Sequence, residues 1–470
     1  MAISSTSSSP SVAQQKQAWM AILGFALFLS LLLLVKAGRL LIPIFPLGAF
    51  ALGVFLYFRT PQLYVGFTWW MWFVGPVVRR IVDYQSGYLT PGPWTLTPTL
   101  VTLISFAALV RHLPKSYKQG GLPFLLCIGA VFYGFLIGLI QNKTVTTILT
   151  FFSWINPLLF SFNLYVNWRE YPNYRQTIQR TFLWGVLVMG IYGMYQYLVA
   201  PEWDRFWLIN ISAGSFGKPE PLGIRVSSTM DAPQTFASAM MAGLIILFSI
   251  SGNLRFPAMG VGFLSFLLSS ARSAWLSWLG GMMFFVPFLK ARLQMNLIIS
   301  ITVAALIILP LATLKPFSTM IAPRIESLTN TQSDTSYQDR SQGYSELLGV
   351  ALSEFQGKGL GVEIKNSSIG VKDSGILSMF FSLGWLGAIP YLGGVILILF
   401  NLFQGSEING DAFASASRAI ALGTFLQIIL NVVTEGAIGM FLWGFLGIGM
   451  AARNYYLYQK MLGQDNKISN

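Results

Sequence analysis

The sequence predicts an all-α polytopic membrane protein with about 12–14 transmembrane helices. Three observations carry this expectation. The 470-residue chain is 54% hydrophobic and only 10% charged, whereas a soluble domain carries about 25% charged residues. Its mean hydropathy is +0.61. Apolar runs approaching the 20 or so residues needed to cross a bilayer recur along most of its length.

Taken in order, the Ser-rich segment 1–17 reads as a disordered cytoplasmic N-terminus. The apolar run after it has no small-residue cleavage site and is soon followed by another, which predicts a first span rather than a removed signal peptide. Candidate spans lie at 18–36, 40–58, 63–78, 95–110, 122–140, 146–167, 181–200, 233–251, 256–270, 274–289, 293–313, 375–403, 418–433 and 437–452. Those at 63–78, 418–433 and 437–452 are short. No internal repeat stands out, so the repeat signature of many transporters is absent. The chain divides into a bundle over 18–313 with an exoplasmic loop at 201–232, a large exoplasmic loop at 314–374, C-terminal helices over 375–457 and a cytoplasmic tail at 458–470.

With the N-terminus inside, the short cytoplasmic connections and tail carry 13 Lys and Arg, against 9 in the exoplasmic loops other than the longest. The bias follows the positive-inside rule. Loop 314–374 holds 7 of the 17 acidic residues, so most ionisable chemistry falls on one face. The formal charge of +13 sits mostly in loops and at span ends. Membrane lipids account for it there, and no basic stripe or recognition fold points to nucleic acid. A single cysteine, Cys127, rules out an intrachain disulfide, and with a single histidine, His112, the usual zinc ligand sets are excluded. There is no GxxxxGK[ST] loop and no DxD pair, so no cofactor is expected.

Within the larger loop, SYQDRSQGYSELLGVALSEFQ predicts a helix. Ser336 and Asp339 make a capping-box-like start. Arg340, Tyr344, Leu348, Ala351 and Phe355 recur on one face, and Gly357 and Gly359 end it.

The 34 residues from Phe256 to Leu289 contain one formal charge, Arg272. A guanidinium at mid-bilayer costs roughly 2.5–3.5 kcal/mol on insertion scales. The run is too long for one span and suits two spans joined by a tight turn, which puts SSARS at the interface. Arg272 is then either a turn arginine reaching headgroups or a ligand for an anion. Topology brings Arg225, in GIRVSSTMDAP, and Arg340 to the same face, with Ser227, Ser228 and Ser270 beside them. Guanidiniums, hydroxyls and backbone N–H groups suit an anionic, oxygen-rich ligand such as a phosphate, without a metal. Asp373 opens the span at 375–403 either as a helix cap or as a general base for an incoming hydroxyl. Glu363 and Glu435 are further acidic candidates.

The order of these pieces resembles the O-antigen ligase and Wzy-type polymerase superfamily of bacterial envelope polysaccharide enzymes, over roughly 185–400. The likeness rests on Arg225-Val226-Ser227-Ser228-Thr229 with Pro233-Gln234, and on Ala271-Arg272-Ser273-Ala274-Trp275-Leu276. It continues through Arg340 ahead of Gly357-Lys358-Gly359-Leu360-Gly361, and through Asp373-Ser374-Gly375-Ile376-Leu377 followed by Gly384-Trp385-Leu386-Gly387. Ligases of that family place a His where this chain has Asp373. The resemblance implies a GT-C-like architecture in a bacterial inner membrane with its active face exoplasmic. It also implies a metal-independent inverting glycosyltransferase, either polymerase or ligase. The donor would be a polyprenyl-diphosphate-linked glycan and the acceptor a glycan or lipid hydroxyl. Arg225, Arg272 and Asp373 would be catalytic, with Arg340, Ser227, Ser228, Ser270 and Glu363 on substrate. A transporter of a small anion or solute, and a non-catalytic scaffold of an export complex, are the other two readings.

Overall fold

The computed structural model describes residues 11–89, 96–117, 120–211, 214–288, nine positions between 291 and 310, 313–329, 335–362, 374–404 and 410–468. Among these the chain is helical with no strand, and only an isolated bridge joins Gly217 to Ile224. The helices are α1 Val12–Leu34, α2 Gly38–Arg59, α3 Pro61–Ser86, α4 Thr97–Leu103, α5 Phe106–Ser116 and α6 Leu122–Gln141. Then come α7 Thr144–Val166, α8 Tyr171–Val199, α9 Glu202–Ile211, α10 Pro233–Leu247, α11 Arg255–Leu268 and α12 Arg272–Phe285. After them follow α13 Ser318–Thr329, α14 Thr335–Ser353, α15 Gly375–Phe403, α16 Ala412–Leu426 and α17 Gly436–Ile468.

Eight of the described helices (α1, α2, α6, α7, α8, α15, α16 and α17) are long and apolar enough to cross a membrane, by length and composition. The protein is therefore an all-α polytopic membrane protein. Several predicted segments take a different form. The span at 95–110 is broken into α4 and α5 by a turn at Ile104–Ser105. Residues 12–17 are helical rather than disordered, because Ser11 and Gln14 form a capping box that starts α1 early. The region 458–468 continues α17 instead of forming a separate tail. The span at 293–313 lies largely outside the described residues.

The centre of the bundle is aromatic. Trp69 of α3 lies 5.1–6.1 Å, between ring centroids, from Phe73, Phe160, Phe182, Phe441 and Phe445, which joins α3, α7, α8 and α17. Gly444 admits that ring, since a Cβ there would stand 2.7 Å from it. At the end of the bundle where α16 begins, Asp411 caps α16 through the Phe413 and Ala414 amides. Its carboxylate also accepts from the Tyr171 and Tyr456 hydroxyls at 2.6 and 2.8 Å and pairs with Arg175 at 3.1 Å.

At the opposite end lie the pieces from the two predicted loops. Helix α14 realises the predicted amphipathic helix. Ala351 and Leu347 are buried, while Phe355, placed on the apolar face by its spacing, is 62% exposed because α14 ends at Ser353. The hydroxyl of Tyr344 docks α14 by donating to Ile429 O and pairing with the Ser374 hydroxyl. The segment after α14 runs tight against the bundle. Leu360 N donates to Gly134 O at 2.9 Å, and a Cβ on Gly359 would fall 2.1 Å from Gly138 N. Gly359 also has φ +77°, a region where glycine is strongly favoured.

Candidate functional site

The predicted tight turn is present, with α11 ending at Leu268 and α12 starting at Arg272. It is held by its own serines. Ser269 Oγ donates to Phe266 O at 2.6 Å, and Ser270 N donates to Leu267 O at 3.0 Å. Ser270 itself has φ +53°, an unusual value for a residue with a side chain. Its hydroxyl is buried and has no hydrogen-bond partner among the described residues.

A pocket of about 660 Å3 lies at this end of the bundle, and Ser270 is among its lining residues. Its walls come from the turn and the start of α12, from Gln234 in the first turn of α10, from the loop 215–225, and from Met320 and Arg324 on one face of α13. Lys218, Arg225, Arg272 and Arg324 line it together, with Glu220 as the only carboxylate among the lining residues. Lys218 and Glu220 are exposed and 4.0 Å apart, so they pair loosely at the rim. The positive end of the α12 dipole adds to the field, because N-cap Ala271 makes no side-chain cap. Four cations, a helix N-terminus and an unpaired hydroxyl meet at this pocket, a chemistry suited to an anionic group.

The arginines differ in role. Arg225 donates from Nε to Ser269 O at 3.2 Å, from Nη1 to Ser215 O at 2.6 Å and from Nη2 to Ser270 O at 3.1 Å. Two of its five donors thus tie the loop 215–225 to the helical turn, and a third closes the loop on itself at Ser215. Arg272 is half-buried at the first position of α12. Arg324 is half-buried on α13. Behind Arg272, Ser273 Oγ donates to Gln234 Oε1 at 3.1 Å, and Asn431 Nδ2 reaches Ser273 Oγ at 3.0 Å. Gly375 N donates in turn to Asn431 O at 3.1 Å, which links the start of α15 to the pocket wall.

The loop carrying Arg225 is fixed from behind by a buried network. Gln196 Oε1 accepts from the Ser227 and Ser228 amides at 3.0 and 2.8 Å. Asp204 pairs with Arg80 at 2.5 Å and accepts from Tyr192 and Gln196 at 3.0 and 3.1 Å. Arg80 also donates to Ser228 O, and to Met230 O at 3.1 Å.

Of the predicted site residues, the structure brings Arg225, Arg272 and Ser270 into one pocket. It does not bring Ser227 and Ser228 there. Both side chains turn into the bundle, with Ser228 Oγ donating to Met189 O at 2.5 Å, so they shape the loop instead of facing a ligand. Asp373, Glu363 and the side chain of Arg340 lie outside the described residues. The cap of α15 is Ser374, whose Oγ accepts from Leu377 N at 3.4 Å, so the cap reading of Asp373 passes to its neighbour. Glu435 is half-buried just ahead of α17.

Sequence reasoning missed Lys218 and Arg324. Met320 and Arg324 stand four residues apart, the spacing of one helical face. That signal was readable once the stretch was known to be helical. No protein-family model matches the chain, and no curated protein matches it.

Proposed function

We propose that the protein is a metal-independent inverting glycosyltransferase that moves a glycan from a polyprenyl-diphosphate carrier to an acceptor hydroxyl at this pocket. The observation that supports it is the meeting of Arg225, Arg272 and Arg324 with the unpaired Ser270 hydroxyl and the start of α12 in one cavity at the end of the bundle. A diphosphate gains negative charge as the glycosidic bond breaks, so fixed guanidiniums stabilise the transition state more than the ground state. In this reading Arg272 and Arg324 hold the leaving diphosphate, the α12 amides and Ser270 donate to its oxygens, and Arg225 shapes the wall. Asp373, just before the α15 start that hydrogen-bonds to Asn431, is the proposed base for the acceptor hydroxyl.

Binding of farnesyl diphosphate, farnesyl monophosphate and farnesol to the full chain in detergent tests the site. The diphosphate should bind tightest, and Arg272→Ala should weaken it about tenfold or more, as loss of a charged hydrogen bond worth about 1.5–3 kcal/mol requires. Equal binding of all three, unchanged by Arg272→Ala, would count against a diphosphate site. Uptake of a small anion into proteoliposomes that is abolished by Arg272→Ala would instead favour transport.

A further inference from the structure

A second cavity, of about 700 Å3, lies far from the arginine pocket, between α1, α2, α3 and α8. Its lining is mostly apolar and includes Trp19, Trp70 and Trp184. Along α1 it reaches from Gln15 to Leu33, about 27 Å at 1.5 Å per residue and close to the thickness of a bilayer's hydrocarbon core. Helix α1 closes one side only lightly, with Ala18 and Leu29 its sole buried residues.

The groove is not uniform along its length. Its polar and charged lining gathers where α1, α3 and α8 begin, with Gln15 and Gln62 at the starts of α1 and α3. Asn173, Gln176 and Arg180 follow in the first three turns of α8, and beyond Thr181 that helix turns apolar. Arg180 is exposed and forms no ion pair among the described residues. A long apolar slot with amides and one guanidinium at a single end is complementary to an amphiphile with a long chain and an anionic head.

We infer that this groove holds the acyl chain of an anionic phospholipid, its headgroup phosphate set against Arg180 with the amides of Gln15 and Gln176 beside it, while the Asn173 amide donates to Glu170 at 2.8 Å. The lipid fills the space that α1 leaves open and fastens that helix to the bundle. This binding is independent of the arginine pocket, which lies at the other end of α8.

The test is native mass spectrometry of the full chain released from detergent with phosphatidylglycerol or phosphatidylcholine. The wild type should retain one phosphatidylglycerol in preference to phosphatidylcholine. Arg180→Gln should lower phosphatidylglycerol retention about fivefold, the effect of roughly 1 kcal/mol for one basic residue near a headgroup, and leave phosphatidylcholine unchanged. Ala26→Trp, which puts a ring into the groove, should abolish retention of both. Equal retention of the two lipids by the wild type, or no response to Arg180→Gln, overturns the headgroup assignment. Unchanged retention in Ala26→Trp places any bound lipid elsewhere. Should Ala26→Trp fail to fold, Arg180→Gln, at an exposed position, decides the matter alone.

Discussion

Arg225 and Arg272 line the same pocket yet should fail differently when removed. Arg225 makes three hydrogen bonds to backbone carbonyls across two segments. Arg225→Ala is therefore expected to lower both the melting temperature and glycan transfer. Arg225→Lys should rescue neither fully, because an ammonium cannot reproduce the planar fork. For Arg272→Ala the loss of transfer, about 10²–10³-fold, is expected to exceed any effect on the melting temperature. Thermal melting and initial rates on the same preparations separate the two. A third residue sets a pH response. Asp83, past the apolar part of α3, has its carboxyl pushed up to about 6 by burial, against a smaller opposing pull from Arg79 at 3.3 Å. Between pH 4 and about 6 the folded chain then holds a proton that the unfolded chain has released. Stability should therefore fall as pH rises through that window and level off above it. Melting curves of Asp83→Asn should lack that fall.

At the scale of elements, the site depends on a loop and a turn held from behind. The Arg80–Asp204 pair is buried and carries the 226–230 segment through Ser228 and Met230. Removing one partner of such a pair typically costs about 3–5 kcal/mol, because the other charge is left uncompensated. Asp204→Ala should thus lower the melting temperature markedly and disorder the pocket, read as lost farnesyl diphosphate binding. Gly359→Ala should be similarly disruptive, since its Cβ would meet the α6 backbone at 2.1 Å from Gly138 N. Much of this level was legible in the sequence. The length of a 34-residue apolar run put a turn at SSARS, which the structure narrows to Ser269–Ala271, and helical spacing located α14. The Arg80–Asp204 pair was not legible, because its partners are 124 residues apart and neither lies in a motif. Ser227 and Ser228 were read as ligand hydroxyls because a Ser pair beside an arginine suits an anion. What decides their direction is Gln196 on α8, which takes both of their amides. Sequence spacing carries no trace of that contact.

For the whole molecule, the hydropathy pattern conveyed the class because a bilayer constrains each span through length and composition alone. It conveyed the count less well, since α4 and α5 break one span and α10 to α12 are too short to register by length. The cation-lined pocket and the apolar groove divide the bundle into an end suited to an anionic head and a flank suited to lipid chains. Whether the pocket performs glycan transfer is best read directly. Purified protein would be reconstituted with a polyprenyl-diphosphate-linked oligosaccharide and an acceptor, without added metal, and transfer compared between wild type and Arg272→Ala. The expected result is transfer by the wild type that falls about 10²–10³-fold in the folded variant. Transfer that persists at the wild-type rate in Arg272→Ala would contradict the assignment of the pocket, and no transfer by well-folded wild type from a range of donors would contradict the reaction itself.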